Sequence, residues 1–246
     1  MPTDVGLADC DQAWGIYIGV PFCRFKCTYC NFASDVFPSS SLDRYVAALA
    51  AEFQVSRPVV ADTVYLGGGT PSMMTAGQFR LLFSVLRQVF EIRPESEVTL
   101  EAAPGSITAD LARAWADCGV NRASLGVQSF VERELRAVGR PHRAETVARD
   151  METLRTAGIG NIGFDLIAGL PHQTPAAWDE SLEWLCRLKP EHASVYLLEI
   201  DEDSRLGAEV LADGVRYSAQ SLPDEDAQAA MYCRAIERLS EAGYGQ

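Results

Sequence analysis

Six short runs rich in β-branched and apolar residues, each followed by a longer segment of helical periodicity, constrain this chain more than any other feature. The strand candidates cover residues 15–20, 63–66, 97–100, 122–127, 162–167 and 193–198; the helix candidates cover 42–57, 76–90, 109–118, 144–157, 175–188 and 223–242. Such alternation implies a parallel sheet, because a parallel neighbour needs a crossover long enough to hold a helix. Punctuation agrees with these boundaries. Ser41 precedes the first helix, Thr75 is followed three residues on by Gln78, Thr108 precedes the third helix, and Gly119, Gly158 and Gly243 follow three others. Six βα units of this α/β class build either an open doubly wound sheet or a partial barrel, and periodicity does not separate the two. In both, a ligand sits at the carboxyl ends of the strands.

Residues able to do chemistry recur at that end. Three cysteines follow the first strand, a glycine run at 67–71 follows the second, Glu101 ends the third, Gln128 ends the fourth, Asp165 lies in the fifth and Glu199 ends the sixth. Composition narrows the remaining classes. With 246 residues, 48% hydrophobic, the chain can bury a large core, and a net charge of −13 argues against a nucleic-acid partner, where clustered Lys and Arg neutralise phosphates. Residues 1–14 form a polar, acidic segment without the features of a signal peptide, ahead of a core expected over 15–246. No apolar run approaches the ~20 residues of a membrane span, so the cytoplasm is the expected location.

The cysteines Cys23, Cys27 and Cys30 are spaced C-x3-C-x2-C. Three thiolates tie down three irons of a four-iron cube and leave the fourth open to a ligand, whereas an electron-carrying cluster or a structural zinc normally closes its shell with four. A disulfide framework fits poorly with seven cysteines and no secretion signal. Zinc stays open as a reading, since Cys27 and Cys30 form a C-x-x-C pair that needs further ligands from elsewhere. Cys10, Cys118, Cys186 and Cys233 are scattered singly and read as small buried hydrophobes. The run 158–163 matches G-x-G-x-x-G, but it lies between a helix and a following strand, the reverse of a dinucleotide site.

The triad, with Tyr29 just before its third cysteine and Gly67-Gly68-Gly69-Thr70-Pro71 after the second strand, resembles the signature of radical S-adenosylmethionine (radical SAM) proteins. Together with the runs 17–23, 126–130 and 165–171, Glu101 with Pro104, and Gly139-Arg140, it resembles the oxygen-independent coproporphyrinogen III oxidase family and its heme-chaperone relatives. That resemblance implies a partial (β/α)6 TIM-like barrel with a [4Fe-4S] cluster on Cys23, Cys27 and Cys30. It places Tyr17 and Tyr29 beside the cluster and SAM, and Gly68, Gly69, Thr70, Glu101, Gln128, Arg140 and Asp165 on SAM, with Arg140 facing its carboxylate. It further implies a low-potential donor such as flavodoxin or ferredoxin, and reductive cleavage of SAM to methionine and a 5′-deoxyadenosyl radical.

The family has two branches. In one the radical starts decarboxylation of coproporphyrinogen propionates; in the other the protein binds heme and passes it to an acceptor protein. Oxidases carry a further cysteine two residues after the third ligand and a substantial N-terminal extension. This chain has Phe32 there and only a short polar segment in front, which favours the chaperone branch with heme or a porphyrin as partner. Gly19 and Ala103 depart from the family's His and Asn or Asp. The run 241–246 resembles the family's link into a C-terminal domain that carries a His-Asn-x-x-Tyr-Trp heme motif, and that domain is not in the sequence. Of the histidines, His142 is the one expected near the site; His172 and His192 read as loop residues. A non-catalytic iron–sulfur or zinc module is the alternative of another class.

Overall fold

A computed structural model describes residues 14–245. The chain runs β1 (Trp14–Val20), α1 (Ser39–Val55), β2 (Val60–Gly68), α2 (Ala76–Val89), β3 (Glu91–Ala102), α3 (Ala109–Asp117), β4 (Arg122–Gln128), α4 (Glu132–Ala137), α5 (Ala144–Thr156), β5 (Asn161–Ala168), α6 (Pro175–Leu188), β6 (His192–Leu197), α7 (Arg205–Leu211) and α8 (Glu225–Glu241). Short 3-10 turns lie at Pro71–Met73 and Arg216–Ser221. All six expected strands and all six expected helices are present. The polar segment expected at the N-terminus lies, up to residue 13, outside the described residues, as does Cys10.

Strand order resolves the choice that periodicity left open. The strands pair in parallel in the order β1-β2-β3-β4-β5-β6, with no reversal. A doubly wound sheet changes direction at a switch point. Here every crossover steps the same way, and right-handed connections then put every crossover helix on one face. The sheet curls into a partial barrel with β1 and β6 as its edges.

Alternation along the strands decides what each face does. Ile18, Val64, Leu66, Leu100, Leu125, Phe164 and Leu166 point outward and are buried under Phe79, Phe83, Trp115, Met151, Leu154, Trp178 and Leu185 of the helices. The intervening positions, among them Tyr65, Glu101, Ser124, Gly126, Asp165 and Ser194, line the interior. A closed barrel of this type fills its interior with branched apolar side chains. Glycine and polar residues in their place leave a cavity of about 1260 Å³.

The helix caps follow the expected chemistry with one exception. Thr75 and Gln78 form a reciprocal capping box, the Thr108 hydroxyl accepts from Leu111 N, and Gly119, Gly158 and Gly243 have positive φ just past helix ends. Helix α1 begins at Ser39, after Pro38, rather than at the Ser41 cap, and no side chain caps it. Helices α4 and α7 have six and seven residues, too few for periodicity to register against the loops around them.

Candidate functional site

The cysteine loop is held by the protein's own main chain. Phe22 bridges to Asp35; Cys23 N donates to Asp35 O at 2.9 Å and Asp35 N to Pro21 O at 3.0 Å, closing the loop at its base. The end of β2 continues alongside: Gly69 N donates to Val20 O (2.8 Å) and Thr70 N to Phe22 O (2.7 Å). Backbone is this close because residue 69 is glycine; a Cβ there would lie 2.7 Å from both the Phe22 and Val20 carbonyl oxygens. At its far side the loop is pinned twice at one residue, with Thr28 N donating to Val138 O (3.3 Å) and Leu206 N donating to Thr28 O (2.7 Å). Tyr29 packs into a second small core formed by Val138, Ile167, Leu170, Leu198, Leu206 and Ala219.

Cys23, Cys27 and Cys30 therefore line one mouth of the barrel cavity. The Cys23 thiol donates to Ser34 Oγ at 3.4 Å and accepts from the Thr70 hydroxyl at 3.7 Å. Burial pushes the Cys30 thiol above its ordinary pKa, with Lys26 acting the other way. Among the described residues no three His, Cys, Asp or Glu side chains converge on the position of a single ion. Thiols that each bind a different iron need no common point, so the donor set suits a cluster better than one zinc. Of the remaining cysteines, Cys118 is buried as expected, Cys186 is half-buried, and Cys233 is exposed, unlike the buried hydrophobe expected there.

The cavity collects Tyr29, Gly68, Gly69, Thr70, Glu101, Gln128, Arg140 and Asp165 as well. Glu101 accepts from Tyr65 Oη (2.7 Å) and Gly68 N (3.1 Å), and burial, with a smaller repulsion from Asp165, raises its pKa. Asp165 accepts from Ser124 Oγ at 3.0 Å and is likewise raised by burial. Two half-buried carboxylates on one wall of the cavity favour a cationic or hydroxyl-bearing group against that wall. Gln128 sits at φ 67, and the turn behind it is locked by Glu134, which accepts from Ser129 Oγ (2.6 Å) and Gln173 Nε2 (3.0 Å). Gln173 Oε1 in turn accepts from Gly169 N (2.5 Å), so one buried network joins the loops after β4 and β5.

Arg140 donates to Gly126 O at 2.6 Å, while its Nε is shut off from solvent without a partner. Burial alone would lower its pKa, but Tyr29 and Cys27 beside it raise it above the ordinary value. Of the residues that the resemblance places on the cluster or SAM, Tyr17 alone is outside the cavity lining: it is 65% exposed on β1 and stacks on Tyr65 at 5.8 Å between centroids. Glu199 lies two residues past β6, exposed and away from the cavity, whereas His192, expected in a loop, opens β6 and lines the cavity floor. Tyr65 and Ser124 were not singled out from the sequence. Their inward register with Tyr17 and Glu101 was the available signal.

His142 also lines the cavity, buried, with Nε2 donating to Val127 O at 3.0 Å. Burial, then the charge of Arg140, lowers its pKa to about 4. The unfolded chain takes up that proton near pH 6.5 and the folded one only near 4, so stability falls as pH drops through this window and is flat above it. The expected loss is on the order of 3 kcal/mol. Urea unfolding at pH 7 and pH 4.5 checks it: His142→Gln, which keeps a donor but does not titrate, should lose less than wild type. Glu101 and Asp165, whose pKa values are raised, act in the opposite direction in both proteins and cancel in that difference.

The sequence profile of the Radical SAM superfamily matches residues 17–185. A protein named heme chaperone HemW from Lactococcus lactis is 35% identical over 228 residues, 93% of this chain and 59% of that protein. An oxygen-independent coproporphyrinogen III oxidase from Bradyrhizobium diazoefficiens is 36% identical over 238 residues, 94% of this chain and 51% of that one. The structure of coproporphyrinogen III oxidase from Escherichia coli, described as a radical SAM enzyme, superposes with a TM-score of 0.83 at 25% identity, covering 94% of this chain and 53% of the other. The chain thus spans a little over half the length of these relatives.

Proposed function

Starting from the chain's membership of the Radical SAM superfamily, we propose that it holds a [4Fe-4S] cluster and SAM in the barrel cavity and serves heme metabolism as a heme-chaperone-like protein. The observation that carries this is the convergence of Cys23, Cys27 and Cys30 with Gly68, Gly69, Thr70, Glu101, Gln128, Arg140 and Asp165 on one cavity at the carboxyl ends of the strands. When bound, a cluster of this kind supplies the electron for reductive cleavage of SAM.

The chain's own residues divide the work. The thiolates of the triad hold three irons, with the Ser34 and Thr70 hydroxyls placed to donate to the Cys23 sulfur once it is deprotonated. Glu101, held by Tyr65 and Gly68, and Asp165, held by Ser124, face the cationic and hydroxyl groups of SAM. Arg140, half-buried in the cavity wall, supplies a positive charge for a carboxylate. A cytoplasmic location, a low-potential donor such as flavodoxin or ferredoxin, a heme-acceptor protein, and a core domain over 15–246 belong to the same proposal. Among the described residues no helix is long and apolar enough to cross a membrane.

Several relatives named heme chaperone HemW support the chaperone branch, as does Phe32 at the oxidases' cysteine position, 60% exposed at the cavity mouth with Phe25 also exposed. Apolar rings beside an iron site suit a flat porphyrin. The oxidase reading stands second on the similarity to the Bradyrhizobium enzyme. Anaerobic reconstitution followed by electron paramagnetic resonance, with and without SAM, tests the core of the proposal. A cubane signal that changes with SAM is expected; a cluster indifferent to SAM would remove SAM from the cavity. Heme titration against coproporphyrinogen decarboxylation then separates the branches, with heme binding and no decarboxylation expected.

A further inference from the structure

We propose that Arg140 acts on the cluster itself: its guanidinium shares the cavity with Cys27 and biases the cluster toward its reduced state before SAM arrives. This rests on the reading of Cys23, Cys27 and Cys30 as cluster ligands.

The geometry starts with the segment after α4, which docks along the cysteine loop. Thr28 N donates to Val138 O, and the Cβ position of Gly139 lies 3.9 Å from Lys26 O. Gly139, at φ 80, turns the chain so that Arg140 enters the cavity beside Cys27 and Tyr29. The Gly126 carbonyl accepts from Nη1 at 2.6 Å and fixes the guanidinium at the inner wall of the cavity. Among the described residues no carboxylate pairs with this group, and Nε has no partner at all. A half-buried guanidinium that faces the cavity without a carboxylate partner suits an anion.

SAM's carboxylate is one such anion. It need not be the only one, because Cys27 lines the same cavity beside the guanidinium, on a loop tied to the segment before Arg140 by the Thr28 N–Val138 O hydrogen bond. A thiolate-bound cube is anionic, and reduction adds one more negative charge. A fixed cation at a ligating sulfur therefore favours the reduced form, net charge and hydrogen bonds to the sulfurs being the levers that set such potentials.

The test compares wild type, Arg140→Gln and Arg140→Lys, reconstituted anaerobically and titrated electrochemically without SAM. At a fixed potential Arg140→Gln should show at least a tenfold lower ratio of reduced to oxidised cluster, a shift of 59 mV for a one-electron couple. Arg140→Lys, which keeps the charge on a different geometry, should lie between the two. Should Arg140→Gln not fold, Arg140→Met, which fills the space without a buried polar group, makes the same comparison. A SAM-free midpoint unchanged in the neutral variant, with SAM affinity alone reduced, would overturn the inference and leave Arg140 a SAM ligand only. Wild-type protein that takes up no iron and sulfide would overturn the cluster reading as well, a failure visible before any potential is measured.

Discussion

Cys30→Ser protein, reconstituted anaerobically, is expected to hold at least about tenfold less cluster than wild type while its apo form unfolds within roughly 0.5 kcal/mol of the wild-type apo form. The first half follows from ligand count. A cube held by three thiolates has no spare ligand, and loss of partners one shell further out already weakens metal sites substantially. The second half follows from how the loop is built. Its order comes from the Phe22–Asp35 bridge, the two hydrogen bonds at Thr28 and the packing of Tyr29, none of which uses the Cys30 side chain. Iron and sulfide content with cluster absorption reads the first quantity and urea unfolding reads the second. Undiminished cluster in the variant would remove Cys30 from the ligand set.

Gly69→Ala should damage both properties at once. The added methyl carbon would lie 2.7 Å from two backbone oxygens and 3.0 Å from Phe22 N, atoms that belong to the end of β1 and the base of the cysteine loop and cannot rotate away. Relief requires breaking the Gly69–Val20 or Thr70–Phe22 hydrogen bond, which would move Cys23. A destabilisation of about 3 kcal/mol is expected, at the upper end for overpacking, together with loss of most of the cluster. Gly77→Ala is the control: a Cβ there meets nothing nearer than 4.0 Å, within helix α2, where alanine is the better helix former. If Gly69→Ala kept wild-type stability and cluster content, the backbone contact would not be what positions the loop.

The close backbone contact at Gly69 gives the glycine run a structural role alongside the ligand role implied by resemblance. Gly68 and Gly69 line the cavity, but Gly69 also lets β2 lie against the chain entering the cysteine loop. From sequence, a glycine that approaches a ligand and one that approaches another backbone look alike. Tyr17 shows the converse. Named for the ligand site, it stacks from edge strand β1 on Tyr65, which positions Glu101.

What the sequence determined by itself is local and periodic: six strands and six helices, most of their caps, and the identity of the residues at the strand ends, since hydrophobic period and turn chemistry act over a few neighbouring residues. The cysteine spacing is equally local, and so it was legible as a candidate ligand set. Periodicity did not decide between an open sheet and a partial barrel; the motifs implied the barrel by resemblance and the strand order shows it, because strand order is a matter of which units pair and not of how each unit reads. Only the tertiary structure decided that Arg140 and Cys27, 113 positions apart, line one cavity, that Glu134 joins the loops after β4 and β5, and that His142 is buried. Those relations arise where distant segments share one low-dielectric cavity, and no pattern along the chain records which segments will meet there.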